Sequence, residues 1–338
     1  MKKLRIKDIA NELNVSKTAV SFILNGLARE KRISEELVER VERYIQEVGF
    51  RPSPIARGLR TGKSNIIGLM VESISDPFFA TIARLIENMA YKQGYRIIYC
   101  STDNDTEKTK ELINVLRERN VDGYIISPPP GVEKEINELI KAGMPVVMFD
   151  RYLPKVKTDY VVIDNEQSAE NATKYLIRQG YRNIGFITFS SSLTQMKGRL
   201  KGYKTALKEE GLKSYVMEID FTPEEKVMVQ GVRDFLAANP NMDAVLFGAI
   251  QAGSCGLKAI TQLKLKVPQD LAVISFDDHD IFELFSTPVT AIAQPIDKIA
   301  HKVISLLLDK LNSDNNGSPK EIVLKTKLKV RGSSVASK

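Results

Sequence analysis

Histidine and cysteine are almost missing from this chain, two of each among 338 residues, and their scarcity removes whole classes of chemistry. Cys100 and Cys255 are far apart and match neither a CxxC pattern nor a metal-ligand spacing, which excludes a disulfide scaffold and a zinc site. They read as buried thiols of a reducing cytoplasm. With so few histidines, no metal-ligand cluster and no nucleophile-base pair, catalysis has nothing to rest on, so the expectation is a non-enzyme without metal or cofactor. Long apolar runs are missing too: no window approaches a membrane-spanning length, and Met1-Lys2-Lys3-Leu4-Arg5 leads into an amphipathic helix rather than a signal sequence. The expectation is a cytoplasmic chain that is neither exported nor anchored.

Acidic and basic residues are both plentiful but unevenly placed. Residues 1–60 hold 13 Lys and Arg against 8 Asp and Glu, while the remainder holds 36 against 34. Most of the formal charge of +7 therefore sits on the N-terminal segment, as binding to a polyanion requires. A length of 338 residues and an apolar content of 43% imply two or three domains with sizeable cores.

In the first segment Ile6, Ile9, Ala10 and Leu13 share one helical face. Asn14-Val15 follow, and then a second helix, Ser16-Lys17-Thr18-Ala19-Val20-Ser21-Phe22-Ile23-Leu24-Asn25. This spacing predicts a helix-turn-helix whose second helix is presented to a major groove, where base edges are distinguishable. After a basic connection, Gly26 to Arg32, Ser34 caps a third helix that carries Glu35 and Glu36 at its positive end and Leu37, Val41, Tyr44, Ile45 and Val48 as its stripe. Residues 51–64 read as a linker. Ser53 suits an N-cap there and Pro54 the first helical position, but a helix so short is below the ~12 residues at which isolated helices become marginal. Gly58-Leu59-Arg60-Thr61-Gly62-Lys63-Ser64 looks like a phosphate loop but has three residues between its glycines where that loop needs about four, and no strand before it.

From Ile66 onward short apolar runs alternate with amphipathic helices, the pattern of parallel sheet covered on both faces. Strands are expected at Ile66 to Val71, Arg96 to Cys100, Gly123 to Ser127, Val146 to Phe149, Val161 to Ile163, Ile184 to Phe189, Ala244 to Phe247 and Ala272 to Phe276, with a last one from Ile322 to Val330. Gln93-Gly94-Tyr95-Arg96 recurs as Gln179-Gly180-Tyr181-Arg182. The recurrence hints at two similar halves, although helix-stop chemistry explains both equally.

Nearly the whole chain resembles the lactose/galactose repressor (LacI/GalR) family. The pieces that carry the resemblance are Val15-Ser16 with Val20-Ser21 and Leu24-Asn25-Gly26, then Pro52 with Ala56-Arg57-Gly58-Leu59-Arg60-Thr61-Gly62. Asp76-Pro77-Phe78-Phe79, Asp122-Gly123, Phe149-Asp150-Arg151, Phe276-Asp277-Asp278 and Gln294-Pro295 extend it. The resemblance implies an α/β protein: an N-terminal all-α helix-turn-helix domain (residues 1–50), a hinge (51–64), and a periplasmic-binding-protein-like core (65–338) of two doubly wound parallel-sheet subdomains. It places residues 65–162 and 293–323 in the first subdomain, 163–292 and 324–338 in the second. It also implies a homodimer or pair of dimers on a pseudo-palindromic double-stranded operator, with a small-molecule effector held between the subdomains. No heptad helix follows the last expected strand, which favours a dimer. An exported sugar-binding protein would share the core but have no use for residues 1–60.

Ligands of open α/β sheets bind beyond the carboxyl ends of strands. Asp76, Phe78, Phe79, Ser127, Asp150 and Asp277 are expected there, together with Ser75, Arg151 and Asp278. The resemblance adds Arg199 and Gln294. Carboxylates accepting, Arg donating and rings covering an apolar face suit a sugar or similar polyol. The alternative for several of these residues is mutual pairing or helix capping. Ala249-Ile250 stands where the family commonly has an Asn-Asp pair, so the effector is less polar, differently bound, or replaced by a protein partner. An activator of the same architecture also stays open. His279 reads as structural.

For DNA, Lys17, Thr18 and Phe22 project toward base edges, with Ser16, Ser21 and Asn25 toward phosphates and Ile6 nearby. Arg29, Lys31 and Arg32 reach phosphate or merely stay solvated. The resemblance makes Leu59 a minor-groove wedge, flanked by Ser53, Ala56 and Arg57, where packing on the core is the plainer alternative. Phe22 replaces the family's usual Arg and so cannot grip guanine bidentately; a phenyl ring favours a thymine methyl. Selection of bound sequences from a random DNA pool is expected to return a changed base at that half-site position. Recovery of the family's usual guanine there would reject the assignment.

Overall fold

Helical spacing of apolar residues folds the N-terminal segment into α1 (Ile6–Glu12), α2 (Lys17–Leu24) and α3 (Glu35–Glu47). The first two are too short to persist alone, so they depend on a shared core of Ile9, Ala10, Val20, Ile23 and Val41. Each of the Ile and Val side chains contributes about 1.5–3 kcal/mol when fully buried. Ser16 Oγ accepts from the Ala19 N–H at 3.0 Å and starts α2; Ser34 does the same for α3, accepting from Leu37. Asn14 between α1 and α2 has φ 53°, a left-handed conformation that Asn tolerates. The computed structural model describes residues 4–50, 63–220, 224–312 and 317–336. It divides the chain into two units, 1–64 and 65–338.

The second unit contains two sheets of six strands each. The first is assembled from β1 (Ile66–Val71), β2 (Arg96–Ser101), β3 (Gly123–Ile126), β4 (Val146–Phe149) and β5 (Asp159–Ile163), with β11 (Glu321–Leu324) returning beside β5, all pairs parallel. Its helices are α4 (Pro77–Lys92), α5 (Thr106–Glu118), α6 (Glu133–Lys141) and α12 (Ile296–Asn312). The second sheet takes β6 (Ile184–Phe189), β7 (Tyr215–Ile219), β8 (Ala244–Phe247), β9 (Ala272–Phe276), β10 (Thr290–Ala293) and β12 (Lys327–Lys329), of which only β12 runs antiparallel to its neighbour. α7 (Asn165–Arg178), α8 (Thr194–Glu209), α9 (Glu225–Ala238), α10 (Ile250–Gln262) and the short α11 (Asp280–Leu284) accompany it. β3, β4, β8 and β9 are buried at every position because helices cover both faces. None of the described helices is long and apolar enough to cross a membrane.

Both sheets follow the same order: β2-β1-β3-β4-β5-β11 and β7-β6-β8-β9-β10-β12. The order reverses beside β1 in one and beside β6 in the other, giving each sheet a switch point where a crevice opens at the carboxyl ends. Three crossings join the sheets, after β5, after β10 and between β11 and β12. Ile163 pairs with Leu324 in the first sheet and Ala293 with Lys327 in the second. Asp164 Oδ1 ties two crossings together, accepting from Ser168 Oγ at 2.7 Å and from the Thr326 N–H at 3.0 Å.

The structure corrects several expectations. β7 and β10 are additional strands: β7 is a half-exposed edge strand with Glu218 in it, and β10 is a four-residue Thr-Ala-Ile-Ala stretch, so neither shows a strong apolar run. The last strand is two, because the chain changes sheets at Lys325-Thr326. The two copies of Gln-Gly-Tyr-Arg are not equivalent positions, since one leads into β2 and the other into β6, the first strand of its sheet. Gly94 (φ 82°) and Gly180 (φ 101°) simply end helices in the left-handed conformation.

Gly202 on α8 lies against the Glu166 backbone of α7, so closely that a Cβ there would collide with the Glu166 carbonyl. Gly202→Ala is expected to lower stability by about 3 kcal/mol or more, beyond the usual range for added bulk because backbone must move. Gly94→Ala, with open space around it, is expected to cost about 1 kcal/mol. Thermal unfolding of the two variants measures the difference, and equal losses would reject the close α7–α8 packing.

Candidate functional site

On the N-terminal unit, Ser16, Lys17 and Thr18 are exposed at the start of α2, while Ser21, Phe22 and Asn25 are half-buried along it. The Lys31 ammonium lies 5.7 Å from the centroid of the Phe22 ring, so one face of the phenyl meets a cation from the following loop. Asn25 turns back to its own helix, donating to the Ser21 carbonyl. Arg29 and Arg32 are exposed, and Lys31 pairs with Glu30 at 2.8 Å. The Ile6 side chain does not join this face as expected; it packs on the Ile9–Val20–Val41 core because it continues the apolar stripe of α1. Ser53, Ala56, Arg57 and Leu59 lie outside the described residues.

In the second unit a cavity of about 440 Å³ opens where the carboxyl ends of the two sheets face each other. Asp76 begins α4, its carboxylate accepting from the Phe78 N–H at 2.8 Å, and this cap places Phe78 and Phe79 on the wall. Asp150 follows β4 and Asp277 follows β9, each directly after a buried Phe and each left-handed, with φ 66° and 64°. An Asp in that region carries local strain that the surroundings must hold. Arg199, on α8 and 2% exposed, donates to Asn165 Oδ1 and to the Gly248 carbonyl, each at 2.8 Å. Its guanidinium lies 4.1 Å from the Phe276 ring centroid and 3.9 Å from Asp277. Gln294 Nε2 holds the other oxygen of Asp277 at 2.6 Å.

Two hydrogen bonds span the cavity between the halves. Gln251, at the start of α10, donates to Asp76, and Gln195, on α8, donates to Asp150 at 3.4 Å. Burial pushes the Asp150 carboxyl up to about 6, against the pull of Arg151 and Arg199. Asp76 is also raised, by burial and then by the charges of Asp277 and Glu72, despite its backbone hydrogen bonds.

Asp76, Phe78, Phe79, Asp150, Arg199, Ala249, Asp277 and Gln294 all line the cavity. Ser127 does not: it is fully buried, its hydroxyl directed to Asp150 at 3.4 Å from behind. Arg151 is likewise turned away and pairs with Glu72 at 3.0 Å. Asp278 leaves the cleft for Arg331 at 2.8 Å and Lys329 at 2.7 Å; burial opposes its ionisation, but those two partners outweigh it and lower its pKa. Ser75 lies in an exposed turn, and His279 caps α11 through Nδ1. Glu72, Phe189, Gln195 and Gln251 line the cavity without having been expected. The strand-end rule would have found the first two, after β1 and at the end of β6. The glutamines sit on helices and need the tertiary fold. Among the described residues, no group of three or more His, Cys, Asp or Glu could hold a metal ion.

Comparison with known proteins matches residues 5–53 to the lacI family of bacterial regulatory proteins and residues 173–334 to a periplasmic binding protein-like domain. The chain is 30% identical to the HTH-type transcriptional repressor PurR of Aliivibrio salmonicida over 316 residues, covering 92% of this chain and 93% of that one. It is 30% identical to the HTH-type transcriptional regulator KdgR of Bacillus subtilis, covering 97% of both. Among solved structures, a periplasmic binding protein/LacI transcriptional regulator from Alkaliphilus metalliredigens complexed with D-xylulofuranose superposes with a TM-score of 0.72 at 27% identity, covering 80% of this chain and 100% of that one. The relatives are named as regulators of transcription, not as enzymes.

A carboxyl that titrates near 6 in the folded chain and near the ordinary 3.8 when unfolded makes the folded state bind more protons between those values. The contribution of Asp150 to stability is thus greatest at the acidic end and falls as pH rises through that window, by at most about 1.4 kcal/mol per pH unit. Asp76 acts in the same direction. Asp150→Asn is expected to gain melting temperature relative to the parent as pH goes from 4.5 to 7. A difference independent of pH, measured by thermal unfolding, would reject the raised Asp150.

Proposed function

The chain belongs to the lacI family of bacterial regulatory proteins, and we propose on that premise that it binds a pseudo-palindromic operator as a homodimer in the cytoplasm, its affinity set by a small ligand in the cleft. It is a sequence-specific, DNA-binding transcriptional regulator, and repression is the reading its relatives' names support. The observation that carries the ligand reading is the cavity of about 440 Å³ bounded by both sheets' carboxyl ends. A ligand there touches both halves at once, and one that prefers one spacing of the halves shifts the equilibrium between spacings. The segment 51–64 connects that equilibrium to the operator, with Leu59 as its minor-groove wedge.

Lys17 and Thr18 are assigned to base edges, since they stand exposed at the start of the second helix of the motif. Ser16, Ser21, Asn25, Arg29 and Arg32 are assigned to phosphates, and Ile6 contributes through its backbone N–H at the start of α1. Lys31 supports Phe22, which meets the groove with its other face. In the cleft Arg199 and Asp277 form the floor, Asp76 and Asp150 the opposing polar wall, and Phe78 and Phe79 the apolar one.

Arg29→Ala and Arg32→Ala are expected to weaken binding to all sequences alike and to lower the slope of log affinity against log salt by about 1 each. Lys17→Ala is expected to relax preference at one half-site position. Titrating a selected operator with full-length protein over a salt series, without and with a panel of sugars and nucleosides, checks both assignments and the coupling. Binding to no particular sequence would reject the operator reading. Binding indifferent to every compound would reject the ligand.

A further inference from the structure

The chemistry of the cleft narrows the class of ligand, an inference that rests on the ligand-gated reading above. Glu72, Asp76, Asp103, Asp150 and Asp277 line the cavity, and Arg199 is the one cation among the described residues that does so. Partners outside the cavity answer part of this charge. Lys108 sits 2.6 Å from Asp103, and Arg151 sits 3.0 Å from Glu72 and 3.8 Å from Asp150. Arg199 is engaged by Asn165, the Gly248 carbonyl and the Phe276 ring, and it faces Asp277.

Least answered is Asp76, which accepts from the Phe78 N–H and from Gln251, both neutral. No ion pair involves it among the described residues. A second observation points the same way. Gln195 is 4% exposed and lines the cavity, and its Oε1 has no hydrogen-bond partner among the described residues. Among the described residues that line the cavity the unanswered side-chain groups are therefore acceptors, and Phe78, Phe79 and Phe189 line the same cavity.

A hydroxyl would satisfy the acceptors but leave the charge. A carboxylate or phosphate would add to it. An ammonium supplies three donors, no acceptor and the missing positive charge, and it is attracted to the ring faces as well. Ala249 and Ile250 contribute no polar side chain that would favour hydroxyls instead. We propose that the cleft selects an amine-bearing sugar, or a hydroxylated amine of similar size, and rejects sugar acids and sugar phosphates. Burial of Asp76 and Asp150 without full compensation, which raises both carboxyls, is the state that such a ligand relieves.

The test uses the full chain and matched sets: glucosamine, galactosamine and mannosamine, 1-deoxynojirimycin, and aminated disaccharides, each with its neutral parent and the corresponding uronate or phosphate. Calorimetry at pH 7 is expected to show at least one amine binding tenfold or more tightly than its neutral parent, with no binding of the anions. Asp76→Asn keeps the oxygen that caps α4 and should bring that ratio near one. Gln195→Leu serves as a second variant and should weaken the amine without strengthening the neutral parent. A neutral parent or an acid binding more tightly than its amine, an unchanged ratio in Asp76→Asn, or no binding by any amine overturns the proposal. A neutral sugar that shifts operator affinity would overturn the cationic ligand and keep the ligand-gated regulator. Operator binding unmoved by any compound of any charge would overturn both.

Discussion

One buried guanidinium, that of Arg199, organises the floor on which the cleft is built. Isolating such a charge from water costs several kcal/mol unless its donors are met, and here the meeting points come from separate parts of the chain. Asn165 opens α7 at the first crossing, Gly248 follows β8, and Asp277 follows β9. Phe276 covers the flat face. Satisfying one side chain thereby fixes the relative positions of four elements of the second half, and Gln294 extends the arrangement to the second crossing through Asp277. A loop-borne ligand site would need its own support; this one shares the support of the sheet ends.

The first half answers with a parallel construction. A Phe that ends a central strand is followed by a left-handed Asp in both halves, Phe149-Asp150 and Phe276-Asp277. The left-handed residue follows the strand end, and both carboxylates line the crevice. The two halves differ in what answers the carboxylate. Asp277 receives Arg199 at 3.9 Å and Gln294 at 2.6 Å, whereas Asp150 receives Ser127 and Gln195 at 3.4 Å and Arg151 at 3.8 Å.

Much of the architecture was legible in the chain. β1, β4, β6, β8 and β9 stand out because strands buried on both faces are mainly apolar runs, and Ser34 announces α3 through its capping oxygen. β7 and β10 were not legible, since an edge strand with one wet face and a four-residue strand of small side chains offer little contrast with their surroundings. Of the cleft, strand ends located Asp150 and Asp277 but misplaced Ser127, because the same rule does not say whether a residue past the strand points into the crevice or behind it. Gln195 and Gln251 depend on where two helices start in space. That Phe22 meets Lys31 depends on the fold of a loop nine residues later.

Sheet closure in this protein is deferred. β5 waits for β11, with Tyr160 pairing Glu321, and β10 waits for β12, with Ala293 pairing Lys327. During synthesis the first sheet therefore leaves the ribosome with an open edge at β5 and keeps it until the second sheet has been almost completely made. Such an edge is a template for pairing with another chain, and closing it last gives this half a high contact order and slow completion. A nascent chain stalled before residue 321 would carry two unfinished edges at once, and one short segment, residues 321–329, seals both.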